Sequence, residues 1–165
     1  SGGALAGRAT FARTARRALA LTSLAGAVAL GLWRIPAAPD ASATAAAEAS
    51  AWSEDRVAEL RRAGRPVFVD VTADWCITCI ANEQGVLYTE AVQAAFRAHN
   101  VAFLVADWTN YDADIANYLR SHGRSGIPLY VLYPADPSAA PVLLPQVLTR
   151  NGVISSLESI STDKG

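Results

Sequence analysis

The sequence predicts an α/β domain, a mixed central β-sheet flanked by helices, preceded by an N-terminal apolar helix and a linker. Three observations predict it. From Trp52 onward, helical periodicity alternates with short β-branched and aromatic runs. Before that lies a tract of Ala, Pro, Ser and Thr, and before the tract an apolar run follows a cluster of arginines. The chain therefore divides into residues 1–34 (a basic segment plus a transmembrane or signal-like helix), a linker over 35–51, and the domain over 52–165.

In the first zone Arg8, Arg13, Arg16 and Arg17 stand without a single acid, and Ala18 to Trp33 is apolar apart from Thr22, Ser23, Gly26 and Gly31. As a helix this run spans about 24 Å at ~1.5 Å per residue, slightly short of a hydrocarbon layer of ~30 Å unless flanking side chains snorkel. It reads as a transmembrane helix, as a signal peptide with small residues around Ala41-Ser42-Ala43, or as a buried soluble helix. The first two place the basic end in the cytoplasm and everything after Arg34 outside it. The absence of methionine and the Ser1-Gly2-Gly3 opening predict that the natural protein extends further N-terminally. Ile35 to Ala51 holds too few large apolar residues to offset its ordering entropy, and is expected to be a flexible tether.

Ser53 is placed as an N-cap, with Trp52 and Val57 as a hydrophobic staple, so a helix should run from about 54 to 63 and stop at Gly64. Pro66 to Thr72 reads as a strand. Helical periodicity resumes after Cys79, and Thr89 can cap a helix through Ala98. Val101 to Asp107 reads as a second buried strand, and Ile115, Tyr118 and Leu119 form the apolar face of a helix closed by Gly123. Short strands are expected near Leu129 to Tyr133 and Val142 to Leu144, and Thr149 or Asn151 should cap a last helix through about Ile160.

Fourteen Lys and Arg against fifteen Asp and Glu give a formal charge of −1, which leaves no basic field for a nucleic-acid backbone. The two cysteines, Cys76 and Cys79, lie three apart and cannot staple distant segments. They follow a predicted strand and open a predicted helix, the context in which C-x-x-C is a redox motif. Cys76 then sits at a helix N-terminus, where free N–H groups and the helix dipole favour the thiolate, the attacking species in disulfide exchange. Cys79, one turn further in, is suited to resolving the mixed disulfide. A structural disulfide across so short a loop removes little chain entropy. Zinc needs four ligands, and His99 and His122 lack the required spacing. Covalent haem needs a histidine where Ile80 stands.

The run Val67-Phe68-Val69-Asp70-Val71-Thr72-Ala73-Asp74-Trp75-Cys76-Ile77-Thr78-Cys79 resembles the active site of the thioredoxin superfamily. Together with Leu144-Pro145-Gln146-Val147-Leu148-Thr149, it looks most like the C-terminal periplasmic domain of the DsbD-type thiol:disulfide interchange proteins. The resemblance covers roughly Trp52 to Ile160 and implies a thioredoxin-like fold. It puts the family's buried carboxylate at Asp70, as acceptor or relay of the Cys79 proton. Asp70 interrupts an otherwise apolar strand, which favours that role over an ordinary edge or turn aspartate. Glu83, four residues after Cys79 and so on the same helical face, matches an acid that the family keeps near the site; an exposed surface glutamate is the rival reading. Trp75 either shields the disulfide and shapes the docking surface or is a plain core tryptophan, and Asp74 is expected to face solvent. Gly126-Ile127-Pro128 stands where the superfamily places a cis proline, which exposes the Ile127 backbone to an extended partner segment; a trans proline opening an edge strand is the alternative.

The resemblance implies a protein-disulfide reductase in the bacterial inner membrane with its domain in the periplasm. It would take electrons from a membrane-embedded dithiol donor and deliver them to oxidised periplasmic thiol proteins, with no cofactor beyond the Cys76–Cys79 disulfide. Ile77-Thr78 stands between the cysteines where thioredoxins carry Gly-Pro, so neither potential nor partner choice transfers from thioredoxin. The multi-span membrane domain and N-terminal domain of DsbD-type proteins have no counterpart in this sequence. Rival readings are an oxidase, a cytochrome c maturation reductase of related fold, a copper- or zinc-binding thiolate module linked to metal tolerance, and a non-catalytic interaction domain that kept the fold.

Overall fold

A computed structural model of the chain describes residues 49–162. The basic segment, the apolar run Ala18–Trp33 and nearly all of the tether lie outside the described residues. Among the described residues no helix is long and apolar enough to cross a membrane.

The elements are β1 (Ser50–Ala51), α1 (Glu54–Arg62), β2 (Val67–Thr72), α2 (Ile77–Asn82) with a π-helical turn (Glu83–Leu87), α3 (Glu90–Ala98) and β3 (Ala102–Asp107). Then come α4 (Ala113–Ser121), β4 (Leu129–Tyr133), β5 (Val142–Leu143) and α5 (Arg150–Thr162). The sheet order is β1-β3-β2-β4-β5. β2 runs parallel to β3 and antiparallel to β4, so the sheet is mixed as expected.

Alternation along the three central strands sorts the core onto two faces. Val67, Val69, Val71, Leu104, Leu129 and Val131 face α1 and α4 through Val57, Leu60, Ile115 and Leu119. Phe68, Phe103, Tyr130 and Leu132 face the π turn, α3 and α5 through Leu87, Val92, Phe96, Val153 and Leu157. Each fully buried side chain of this size contributes roughly 1.5–3 kcal/mol. Asp70 shares the phase of Phe68, so β2 delivers its carboxyl to the face that carries the cysteine helix.

Caps fix the helix ends. The Ser53 hydroxyl accepts from Arg56 N at 3.1 Å, and Gly64 takes the left-handed turn after α1 at φ 73°. Thr149 rather than Asn151 caps α5, its Oγ1 accepting from Gly152 N at 3.1 Å. Thr89 precedes α3 but makes no side-chain cap; its hydroxyl donates instead to Val86 O at 2.6 Å, closing the π turn. Ser50 and Ala51, expected in the tether, form a two-residue strand beside β3, and Trp52 N continues the pairing by donating to Val105 O at 2.9 Å. Ladder pairing uses backbone only, so side-chain composition does not register it.

Candidate functional site

β2 ends at Thr72, and Ala73 to Trp75 carry the chain from the C-terminal end of this central strand into α2. Cys76 N donates to Ala73 O at 2.9 Å, which turns Cys76 into the N-cap position of α2. Its Sγ accepts from Cys79 N at 3.2 Å, and the two sulfurs are bonded at 2.10 Å. The pair is graded in access: Cys76 keeps 8% of its surface exposed, Cys79 none. Both pack with Ala73 and Ile127 in a small apolar cluster. The Ile127–Pro128 bond is cis, as the resemblance implied.

Asp70 is fully buried on the central strand, opposite Val105 of β3 and Tyr130 of β4, which removes the edge-strand and turn readings. Neither carboxyl oxygen has a hydrogen-bond partner among the described residues. Burial, and secondarily the charge of Glu83, push its pKa well above the usual carboxylate value. A carboxyl of raised proton affinity is thus held in the core on the face that α2 covers. Glu83 is half-buried, not a surface glutamate, and accepts from Thr72 Oγ1 at 2.5 Å. It lines a cavity of about 380 Å³ with Thr72, Ala73, Ile80, Tyr88 and Asp107. The Tyr88 phenol beside it is pushed up to about 12 by burial and by the charges of Glu83 and Asp70.

Trp75 is 46% exposed, so it is not a core tryptophan. Its indole N–H donates to Thr109 O at 3.2 Å, and its ring stacks on Tyr111 with centroids 5.5 Å apart. Trp108 completes the group, edge-on to Tyr111 at 5.2 Å. Tyr111 is 65% exposed and holds a left-handed backbone at φ 58°, unfavourable for a residue with a side chain. Exposed Ile77 extends this apolar rim beside the disulfide, and Asp74 is exposed as expected.

Sequence reasoning missed three groups. Tyr111 and Trp108 come from the loop after β3, far from the cysteines in sequence. Tyr130 is hidden in the continuous apolar run Leu129 to Tyr133. Asn82 is buried in α2, where its Nδ2 donates to Tyr130 Oη at 2.9 Å and to Gln146 O at 2.7 Å, and its Oδ1 accepts from Leu148 N at 3.1 Å. A signal existed: Cys79, Asn82 and Val86 recur at helical spacing, which puts a polar residue on the buried face.

A family model described as thioredoxin-like matches residues 47–135, more than half of the sequence. The chain belongs to the thioredoxin-like family. Within that family it is similar to DsbD proteins, in agreement with the resemblance drawn from the cysteine segment. It is 35% identical over 79 residues to thiol:disulfide interchange protein DsbD of Ralstonia nicotianae, a match covering 48% of this chain and 13% of that protein. It is 47% identical over 45 residues to thiol:disulfide interchange protein DsbD 1 of Pseudomonas aeruginosa, covering 27% and 8% respectively. These matches thus span only a small part of the curated relatives. The oxidised DsbD C-terminal domain of Neisseria meningitidis superposes with a TM-score of 0.51 at 22% identity, over 67% of this chain and 98% of that one, a likeness of fold. Thioredoxin-like architecture and a C-x-x-C disulfide are therefore features of this chain.

Proposed function

We propose that the domain is a protein-disulfide reductase that takes two electrons from a membrane-embedded dithiol donor and delivers them to oxidised periplasmic thiol proteins. The observation that carries this reading is the graded sulfur pair, with Cys76 at the opening of α2 and Cys79 sealed beneath it. In the reduced domain the Cys76 thiolate attacks a partner disulfide, forming the Cys76–partner bond and expelling one partner thiolate. The N–H of Cys79, 3.2 Å from the Cys76 sulfur, favours that thiolate by hydrogen bonding to it. Cys79 then attacks Cys76 Sγ, the intramolecular disulfide forms, and the second partner thiolate leaves and takes a proton from solvent. Asp70 receives the proton that Cys79 gives up, acting in the carboxylate form as general base.

Glu83 passes that proton outward through the cavity it lines. Trp75, with Tyr111 beside it, bounds the partner's docking surface, and the Ile127 backbone next to Pro128 pairs with an extended partner segment. Electrons reside in the Cys76–Cys79 couple, and no bound cofactor takes part. The N-terminal apolar run anchors the protein in the bacterial inner membrane with the domain in the periplasm, where protein disulfides form and need correction. Support comes from the similarity to DsbD proteins and from the arginine excess before Ala18.

The test is a pair of serine variants assayed against an oxidised protein substrate. Cys76→Ser is expected to abolish turnover, and Cys79→Ser to accumulate a covalent adduct that a reductant releases. Reduction of the substrate by the Cys76→Ser protein would overturn the mechanism.

A further inference from the structure

We propose that Asn82 is a positioning residue that ties the Cys79-bearing helix to the partner-binding turn at Pro128 and so sets how fast a mixed disulfide is resolved. The proposal rests on the reductase reading above.

A buried side-chain amide is costly unless its hydrogen-bonding groups find partners. Asn82 spends both donor hydrogens and an acceptor lone pair, and they reach two places: Tyr130 Oη on β4, and Gln146 O with Leu148 N in the segment between β5 and α5. From there the chain of contacts turns back, because Gln146 Nε2 donates to Pro128 O at 3.4 Å. A continuous hydrogen-bonded path thus leads from the helix turn after Cys79 to the carbonyl of the cis proline that flanks Ile127.

The position of this anchor matters mechanically. Asn82 is the last residue of α2, and the backbone widens into the π turn immediately after it. The helix that carries Cys79 is only six residues long. At this junction the Glu83 N–H still bonds the carbonyls of Cys79 and Ile80, and the Asn82 side chain adds the bonds that tie the turn to β4 and to the segment before α5. When the Cys76–Cys79 bond opens, the same bonds keep Cys79 Sγ within reach of Cys76 Sγ. Resolution needs that reach: Cys79 thiolate attacks Cys76 Sγ, the Cys76–partner bond breaks, the partner leaves as thiolate with the two electrons, and the Cys79 proton has gone to Asp70. The first attack, by Cys76 on the partner, depends far less on this anchoring, because Cys76 is fixed at the start of α2 by its own N–H to Ala73 O at 2.9 Å and by Ile80 N donating to its carbonyl at 3.0 Å.

The experiment uses the full chain as wild type, Asn82→Ala, Gln146→Ala and the double variant, each reduced and mixed with an oxidised two-cysteine peptide, then acid-quenched and read by mass spectrometry. Wild type and Cys79→Ser are run first; if neither forms an adduct with the peptide, the reductase reading fails, independently of Asn82. Given that adduct, Asn82→Ala is expected to lengthen its lifetime about tenfold and Gln146→Ala about threefold. Alkylation of Cys76 by iodoacetamide should stay within about twofold of wild type in both. The double variant should resemble Asn82→Ala alone, since both residues belong to one path. Gln146 is exposed, so if Asn82→Ala does not fold, Gln146→Ala decides the matter by itself. An unchanged adduct lifetime in a folded variant overturns the proposal, as does a parallel loss of Cys76 alkylation or full additivity in the double variant.

Discussion

Replacing Asp70 with asparagine should change how stability depends on pH. Burial, with Glu83 second, raises the folded-state pKa of Asp70 well above its ordinary value of about 4. Between those two values the folded chain keeps the proton and the unfolded chain releases it, so the wild type loses stability as pH rises through the window and levels off above the raised pKa. One proton corresponds to a slope of up to about 1.4 kcal/mol per pH unit. The side-chain amide of the Asp70→Asn variant cannot titrate, and its unpartnered polar atoms impose a pH-independent cost of roughly 1–3 kcal/mol. The slope, not the offset, is therefore the test. For a domain of this size the melting temperatures should diverge by roughly 4–6 °C per pH unit in favour of the variant. Thermal unfolding of both proteins in the oxidised state, followed by circular dichroism from pH 4 to pH 9, measures it. Parallel curves across that range would refute a raised Asp70 pKa and, with it, the carboxyl as a proton acceptor. Glu83→Gln should lower the upper end of the window, because it removes the second cause of the shift.

The packing and the rim make predictions of their own. Phe68 is fully buried against Phe96, Phe103 and Tyr130, so Phe68→Ala should cost about 3–5 kcal/mol in urea unfolding. Gly123 follows α4 at φ 68° with open space around its Cα, so Gly123→Ala should cost only the left-handed strain, about 1 kcal/mol, by the same assay. Tyr111→Ala should slow reduction of a protein substrate several-fold, leave Cys76 alkylation unchanged, and alter stability by less than about 1 kcal/mol. Equal slowing with a small-molecule disulfide would count against a docking role.

The parts legible in sequence were those set by periodicity and by local caps. Alternation in Val67 to Thr72 and the spacing of Ile115, Tyr118 and Leu119 gave elements on the correct faces, and Ser53, Gly64 and Gly123 marked helix ends because their chemistry is local. β1 was not legible, since its two residues join the sheet through backbone alone. The π turn was not legible either, because widening by one residue leaves little trace in a short helical pattern. At the site, Cys76, Cys79 and Asp70 could be placed because they lie on one strand–turn–helix unit. Tyr111, Tyr130 and Gln146 reach the site from elements far along the chain, and only the tertiary fold brings them there.

The central claim is that Cys76 and Cys79 form a reversible couple open to other thiols. Equilibration of the native protein with glutathione buffers of graded ratio, with thiols trapped by alkylation after acid quench, tests it most directly. A single two-electron transition is expected, reached from both the oxidised and the reduced side and absent in Cys76→Ser. A disulfide that exchanges only after the protein unfolds would contradict it.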